Sequence, residues 1–170
     1  TGLEASVASL PLDPELVRNA RVVLLRLPRS LEALRDIAGL IAAHAAPDVV
    51  VFAGGRIKHM SLGMNEVLRE NFDSVDVSHA RQKSRVLIAR GPHDGHDPEP
   101  SVARLRIGDR EVEVCAFGGV FAGATLDIGT RLLLDNLPDP IPGHPGDRAI
   151  DLACGSGGGA LASALSRQPL

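Results

Sequence analysis

Two sets of residues in this chain could do chemistry. The first is glycine-rich: Asp151-Leu152-Ala153-Cys154-Gly155-Ser156-Gly157-Gly158-Gly159-Ala160, directly after Arg148-Ala149-Ile150. The pattern predicts a short strand, a tight turn and a helix to about Ser166. Glycine lets backbone turn sharply and approach a ligand with no Cβ in the way, and Gly155, Gly157 and Ala160 have the GxGxxA spacing of nucleotide-binding turns. Asp151 at the strand end would repel a pyrophosphate but suits a ligand that carries positive charge. S-adenosylmethionine, with its sulfonium and ammonium groups, is such a ligand. The competing reading is a glycine-rich connection at the edge of a sheet. The second set is basic: Arg56, Lys58, His59, Arg81, Lys83 and Arg85. Such side chains pair with phosphates and position a nucleic acid without reading its sequence. The alternative for them is a solvated rim of surface charge.

Other candidates are weaker. His93-Asp94-Gly95-His96 has two histidines three apart in a Pro/Gly-rich loop, without the third and fourth ligands a zinc ion wants, so these read as solvated loop residues and no metal is expected. His44 and His79 are taken as structural. Ser156 lacks the glycine two residues earlier that a GxSxG nucleophile needs, because Cys154 stands there. Cys115 and Cys154 have neither metal-type spacing nor the number for a disulfide framework, which fits a reduced, cytoplasmic protein. The chain starts at Thr1 rather than Met, as a processed or engineered product would. No apolar run approaches about 18 residues, so no membrane-spanning helix is expected. The net charge of −3 does not advertise nucleic-acid binding. With four Phe and no Trp or Tyr, the chain also has little with which to stack bases.

The elements that must position these residues alternate. Asp13-Pro14-Glu15 offers a cap, a proline and a first-turn acid for a short helix to about Asn19. Arg21–Leu27 is nearly all apolar, as expected of a strand buried on both faces. Ser30 can cap a helix in which Leu31, Leu34, Ala38 and Ile41 recur at helical spacing, ending before Pro47. Val49–Ala53 predicts a second buried strand, ending in Gly54-Gly55. Ser61 can cap a third helix, with Met60, Met64, Val67, Leu68 and Phe72 on one side. Residues 74–78 and 85–89 predict further strands, and Gly91–Ser101 an exposed, mobile loop. Val102–Ile107 and Arg110–Ala116 flank the hairpin signal Gly108-Asp109, with Ala103, Leu105 and Ile107 sharing one face. Thr125 or Asp127 can cap a helix to Leu137. The alternation predicts an α/β fold with a largely parallel sheet. Loops at the carboxyl ends of such strands are where open α/β sheets bind ligands, and Gly54-Gly55 ends a strand.

The stretch from Asp151 to Gly157 resembles the first motif of class I methyltransferases, departing at Ala153 where that family usually has glycine. Gly119-Val120-Phe121 and Leu126–Leu134 are similar to the lead-in of the small-domain methyltransferases. Leu27–Leu31, Ala53–Met60 and Ala80–Arg85 resemble the N-terminal half of ribosomal RNA guanine-N2 methyltransferases.

That resemblance implies a two-part enzyme. Residues 1–137 would form a degenerate, Rossmann-like copy of the methyltransferase fold that handles substrate. Residues 138–147 would be a Pro/Gly linker, and 148–170 the first strand, loop and helix of the catalytic domain. Asp151, Gly155, Ser156 and Gly157 would bind S-adenosylmethionine, while Arg56, Lys58, His59, Arg81, Lys83 and Arg85 would face ribosomal RNA or a ribosomal subunit. The family's Asn-Pro-Pro-Phe type motif does not occur in this sequence, nor does the acid roughly 20 positions past the glycine loop that would hold the ribose. No catalytic residue is therefore expected in this chain, and binding of the cofactor to it should be weak or absent. The alternative from another class is a non-catalytic RNA-binding or scaffold domain of the same architecture.

Overall fold

The computed structural model describes residues 8–107, 110–120, 125 and 128–136. The chain divides into two compact units, Thr1–Glu99 and Pro100–Leu170.

The first unit begins with α1 (Pro14–Val17), whose cap Asp13 accepts from the Glu15 amide at 2.9 Å. Strand β1 (Val22–Arg26) leads into α2 (Leu31–His44), where Ser30 Oγ accepts from the Ala33 amide at 3.2 Å. Next come β2 (Val50–Arg56), a 3-10 turn over Ile57–His59, and α3 (Leu62–Arg69). Ser61 holds the cap position of α3 without a side-chain hydrogen bond. The hairpin of β3 (Phe72–Val77) and β4 (Ser84–Pro92) completes a four-stranded sheet in the order β1-β2-β4-β3.

The sheet is mixed rather than largely parallel. Only β1–β2 is parallel, because β3 returns directly as β4 and that hairpin forces β4 antiparallel to both neighbours. Phe72, expected on the apolar side of α3, is instead the first residue of β3. It is fully buried in the same core, so the helical spacing ran on past the helix end by coincidence.

Alternation along the strands shows which face is covered. Val51, Ala53, Leu87 and Ala89 are buried in one cluster with Leu34, Ala38 and Ile41 of α2 and Met64, Val67 and Leu68 of α3. Each large side chain so buried contributes about 1.5–3 kcal/mol. On the opposite face Val22 pairs with Val50 and Leu24 with Phe52, and Val22 and Leu24 stand 60% and 81% exposed. The expectation that β1 is buried on both faces therefore fails. Its apolar residues populate both faces, but α2 and α3 pack on one.

Residues 93–97, expected as a mobile loop, form a strap over α2. The His93 amide donates to Asn71 O at 2.9 Å, and the His96 amide to Gly39 O at 3.2 Å. Asn71 Nδ2 donates to Asp94 O at 2.9 Å, and His44 Nε2 meets Asp97 Oδ1 at 2.5 Å. Bare backbone permits the contact. A Cβ on Gly39 would stand 2.5 Å from the His96 ring, and one on Gly95 only 2.1 Å from Ala43 N.

In the second unit, β5 (Ser101–Ile107) and β6 (Arg110–Ala116) form an antiparallel hairpin. Its register, Ile107↔Arg110, leaves the two-residue connection that Gly108-Asp109 signalled, although those two residues lie outside the described ones. Ala103↔Val114 and Leu105↔Val112 share one face, and Arg104↔Glu113 and Arg106↔Glu111 the other, with Arg104 Nε 3.2 Å from Glu113 Oε1. Helix α4 spans Ile128–Asp135. Of its two expected caps, Thr125 or Asp127, the second lies outside the described residues, as do the linker and the glycine-rich segment with Asp151, Gly155, Ser156 and Gly157.

Candidate nucleic-acid interface

The topology gathers the basic residues at one end of the first unit's sheet. Because β1 and β2 run parallel and side by side, their carboxyl-terminal loops are neighbours. The Leu27 amide donates to Gly54 O at 2.9 Å and ties the first loop to the second strand. Arg29 therefore sits beside the segment carrying Arg56, Lys58 and His59. Strand β4 runs the other way, so its start lies at this same end: Ser84 pairs with Arg56, and Arg85 with Gly55. The turn before it carries Arg81 and Lys83, and Lys83 O accepts from the Ile57 amide at 3.0 Å. All six residues expected from the sequence thus come together from two segments. Arg29 from a third was missed, although its position between a strand end and the helix cap Ser30 could have pointed to it.

These side chains are exposed. Their electrostatics differ from those of cations elsewhere. Arg18 pairs with Glu15, Arg21 with Asp48, Arg35 with Glu70 and Arg90 with Asp76. Among the described residues, no ion pair involves Arg29, Arg56, Lys58, Arg81, Lys83 or Arg85. The concentration of charge is felt at His59. Partial loss of hydration, then the cations Lys58, Arg29 and Arg56, hold its imidazole below the usual histidine range. A rim of unneutralised guanidinium and ammonium groups can bind phosphates along a backbone and release their counterions.

The histidines weighed as metal ligands have other neighbours. His93 lies 3.3 Å from Asp94 and 3.9 Å from Asp73, and His96 packs on Gly39. His44 finds its partner in Asp97. Among the described residues, no group of three or more His, Cys, Asp or Glu could hold a metal ion. Nor is any helix among them long and apolar enough to cross a membrane.

Comparison with known proteins falls on the same two stretches. Residues 2–93 match the family described as RLMG N-terminal domain, and residues 111–169 the methyltransferase small domain. Ribosomal RNA large subunit methyltransferase G of Pseudomonas putida is 33% identical over 144 residues, covering 85% of this chain and 38% of that protein. The Pseudomonas fluorescens protein of that name is 32% identical over 160 residues, covering 94% and 42%. The chain thus spans about two fifths of the length of these curated relatives. Among solved structures, the T. thermophilus 16S rRNA N2 methyltransferase RsmC, in complex with AdoMet and guanosine, aligns with a TM-score of 0.58 at 16% identity. That alignment covers 72% of this chain and 34% of that one, and the likeness is one of fold.

Proposed function

The chain belongs to the RLMG N-terminal domain family, and from that premise we propose that it positions ribosomal RNA for an S-adenosylmethionine-dependent methyltransferase that modifies a guanine N2, in the cytoplasm. The observation that carries this reading is the basic rim. Arg29, Arg56, Lys58, Arg81, Lys83 and Arg85 converge from three segments on one sheet end, and among the described residues none of them has a carboxylate partner. A protein gains little fold stability from such crowding; its use is to attract an anion. Ribosomal RNA supplies one in every phosphodiester, and contacts of this type fix register on the backbone.

In this reading residues 1–137 handle substrate, 138–147 link, and 148–170 open the cofactor domain. S-adenosylmethionine supplies the methyl group when bound. Asp151 would hold the ligand's positive charge, and Gly155, Ser156 and Gly157 would let backbone approach it. The matches to rRNA methyltransferases and to the methyltransferase small domain support the same assignment.

The test is RNA binding as a function of salt. Replacing Lys58, Arg81 and Lys83 with Ala should weaken binding to unrelated RNA sequences alike. It should also flatten the salt dependence, by a slope of about 0.7–0.9 per lost phosphate contact. Unchanged affinity and slope would return these residues to a solvated rim and favour a scaffold role.

A further inference from the structure

We propose, resting on the RNA-positioning reading, that Arg29, Arg56, Lys58 and His59 form one discrete phosphate site. A phosphodiester bound there draws a proton onto His59, so RNA binding strengthens as pH falls.

The geometry comes first. The two loops that supply these residues are fixed at their backbones. Arg29 is held between the Leu27–Gly54 hydrogen bond and the Ser30 cap of α2. His59 closes a 3-10 turn in which the Met60 amide donates to Ile57 O at 3.1 Å, and the Ile57 amide is itself held by Lys83 O. The four side chains therefore share a small region with little backbone freedom. That distinguishes a site from a diffuse charge cloud, because less ordering entropy is lost when an anion binds.

The charges facing His59 all have one sign. Lys58 and Arg56 come from its own segment and Arg29 from the loop after β1; the turn whose Lys83 carbonyl holds the Ile57 amide carries the cations Arg81 and Lys83. Among the described residues, no carboxylate is one of the groups acting on it. His44 and His93, by contrast, face Asp97 and Asp94. In the free protein His59 is the one member of the cluster able to relieve repulsion near neutral pH, by giving up its proton. Its lowered affinity for that proton reports this.

A phosphate reverses the field. Its negative charge favours the imidazolium, which then donates to a phosphate oxygen beside the guanidinium groups. The proton comes from solvent and returns there when the RNA leaves. The sign follows from linkage. His59 binds its proton less tightly in the free protein and more tightly in the complex. Between those two pKa values binding takes up a proton and affinity rises on acidification. Above the bound-state value the gain is gone, and below the free-state value it is complete. One site can contribute at most about tenfold per pH unit.

The experiment has two arms on the 170-residue chain. In the first, the His59 ring is titrated by NMR with and without saturating inorganic pyrophosphate. In the second, affinity for a short unstructured RNA is measured from about pH 8 to about pH 5.5, the range that brackets histidine titration, for the unsubstituted protein, His59→Gln and Arg29→Gln. Pyrophosphate should raise the His59 pKa. RNA affinity should climb toward low pH in the unsubstituted protein, and His59→Gln should flatten that climb. Arg29→Gln should weaken RNA binding and raise the His59 pKa in the free protein. A His59 titration unmoved by pyrophosphate, or a His59→Gln protein with the original pH dependence, overturns the site, and the RNA reading stands if RNA still binds. A pyrophosphate-sensitive His59 in a protein that binds no RNA supports the site and refutes the RNA reading.

Discussion

The Ile57 amide donates to the Lys83 carbonyl at 3.0 Å, extending the β2–β4 ladder one step beyond Arg56↔Ser84. This bond holds the turn that displays Lys83 against the segment that displays Lys58 and His59. The turn itself is unusual. Arg81 and Ser84 exchange backbone hydrogen bonds of 3.0 and 2.9 Å, and Gln82 and Lys83 between them have φ of 50° and 58°. Two central residues at positive φ make a type I′ turn, a geometry that favours Asn-Gly. Non-glycine residues there cost about 1–3 kcal/mol each, and such strain collects at functional sites.

Lys83→Gly should therefore stabilise the fold by about 1 kcal/mol, once the greater freedom of glycine in the unfolded chain is deducted. The same change should weaken RNA binding and flatten its salt slope. Gln82→Gly should bring the stability without the loss. Urea midpoints and salt-dependent binding measure the two effects separately. A destabilised Lys83→Gly protein would show that the lysine side chain supports the turn rather than burdening it.

The strap over α2 gives a second expectation. A Cβ on Gly95 meets backbone at Ala43, which cannot swing aside, whereas one on Gly39 meets only the His96 ring. Gly95→Ala must lift the strap and should cost about 1–3 kcal/mol, the range for overpacking. Hydrogen exchange at the His96 amide, now bonded to Gly39 O, is the readout. Protection equal to that of the parent protein would mean that the strap accommodates the methyl group.

Much of this was legible in the residues. Asp13 and Ser30 cap as their types predict, because each places an oxygen where free helix amides point. Ile107 stands opposite Arg110, and the basic set comes together because β1, β2 and β4 share an end. The strap was not legible. Gly, Pro, His and Asp in series have the composition of a free loop, and what holds them is tertiary: bare backbone at Gly39 and Gly95, and the side chain of Asn71. Arg29 was missed because its place between a strand end and the helix cap Ser30 marks a carboxyl-end loop without saying which loop lies beside it. Only the parallel pairing of β1 with β2 brings it to His59. The burial of β1 was misjudged because an apolar run does not say whether both faces are covered.

That last point separates two leucines of similar sequence setting. Leu34 of α2 is fully buried among residues of α3 and the sheet, while Leu24 of β1 is 81% exposed. Leu34→Ala removes buried methyl groups and leaves a cavity that rigid neighbours fill only in part, a loss of about 2–5 kcal/mol. Against a typical total of about 5–15 kcal/mol, that is a large fraction. Alanine's better helix propensity recovers only a few tenths. Leu24→Ser loses little burial, and the hydroxyl sits where water reaches it, so the change should fall within about 0.5 kcal/mol. Serine's poorer strand propensity sets the sign of that small remainder. Urea denaturation of the two variants should give a clear drop in midpoint for Leu34→Ala and almost none for Leu24→Ser. Comparable losses at both positions would mean that the Leu24 face of the sheet is covered in solution.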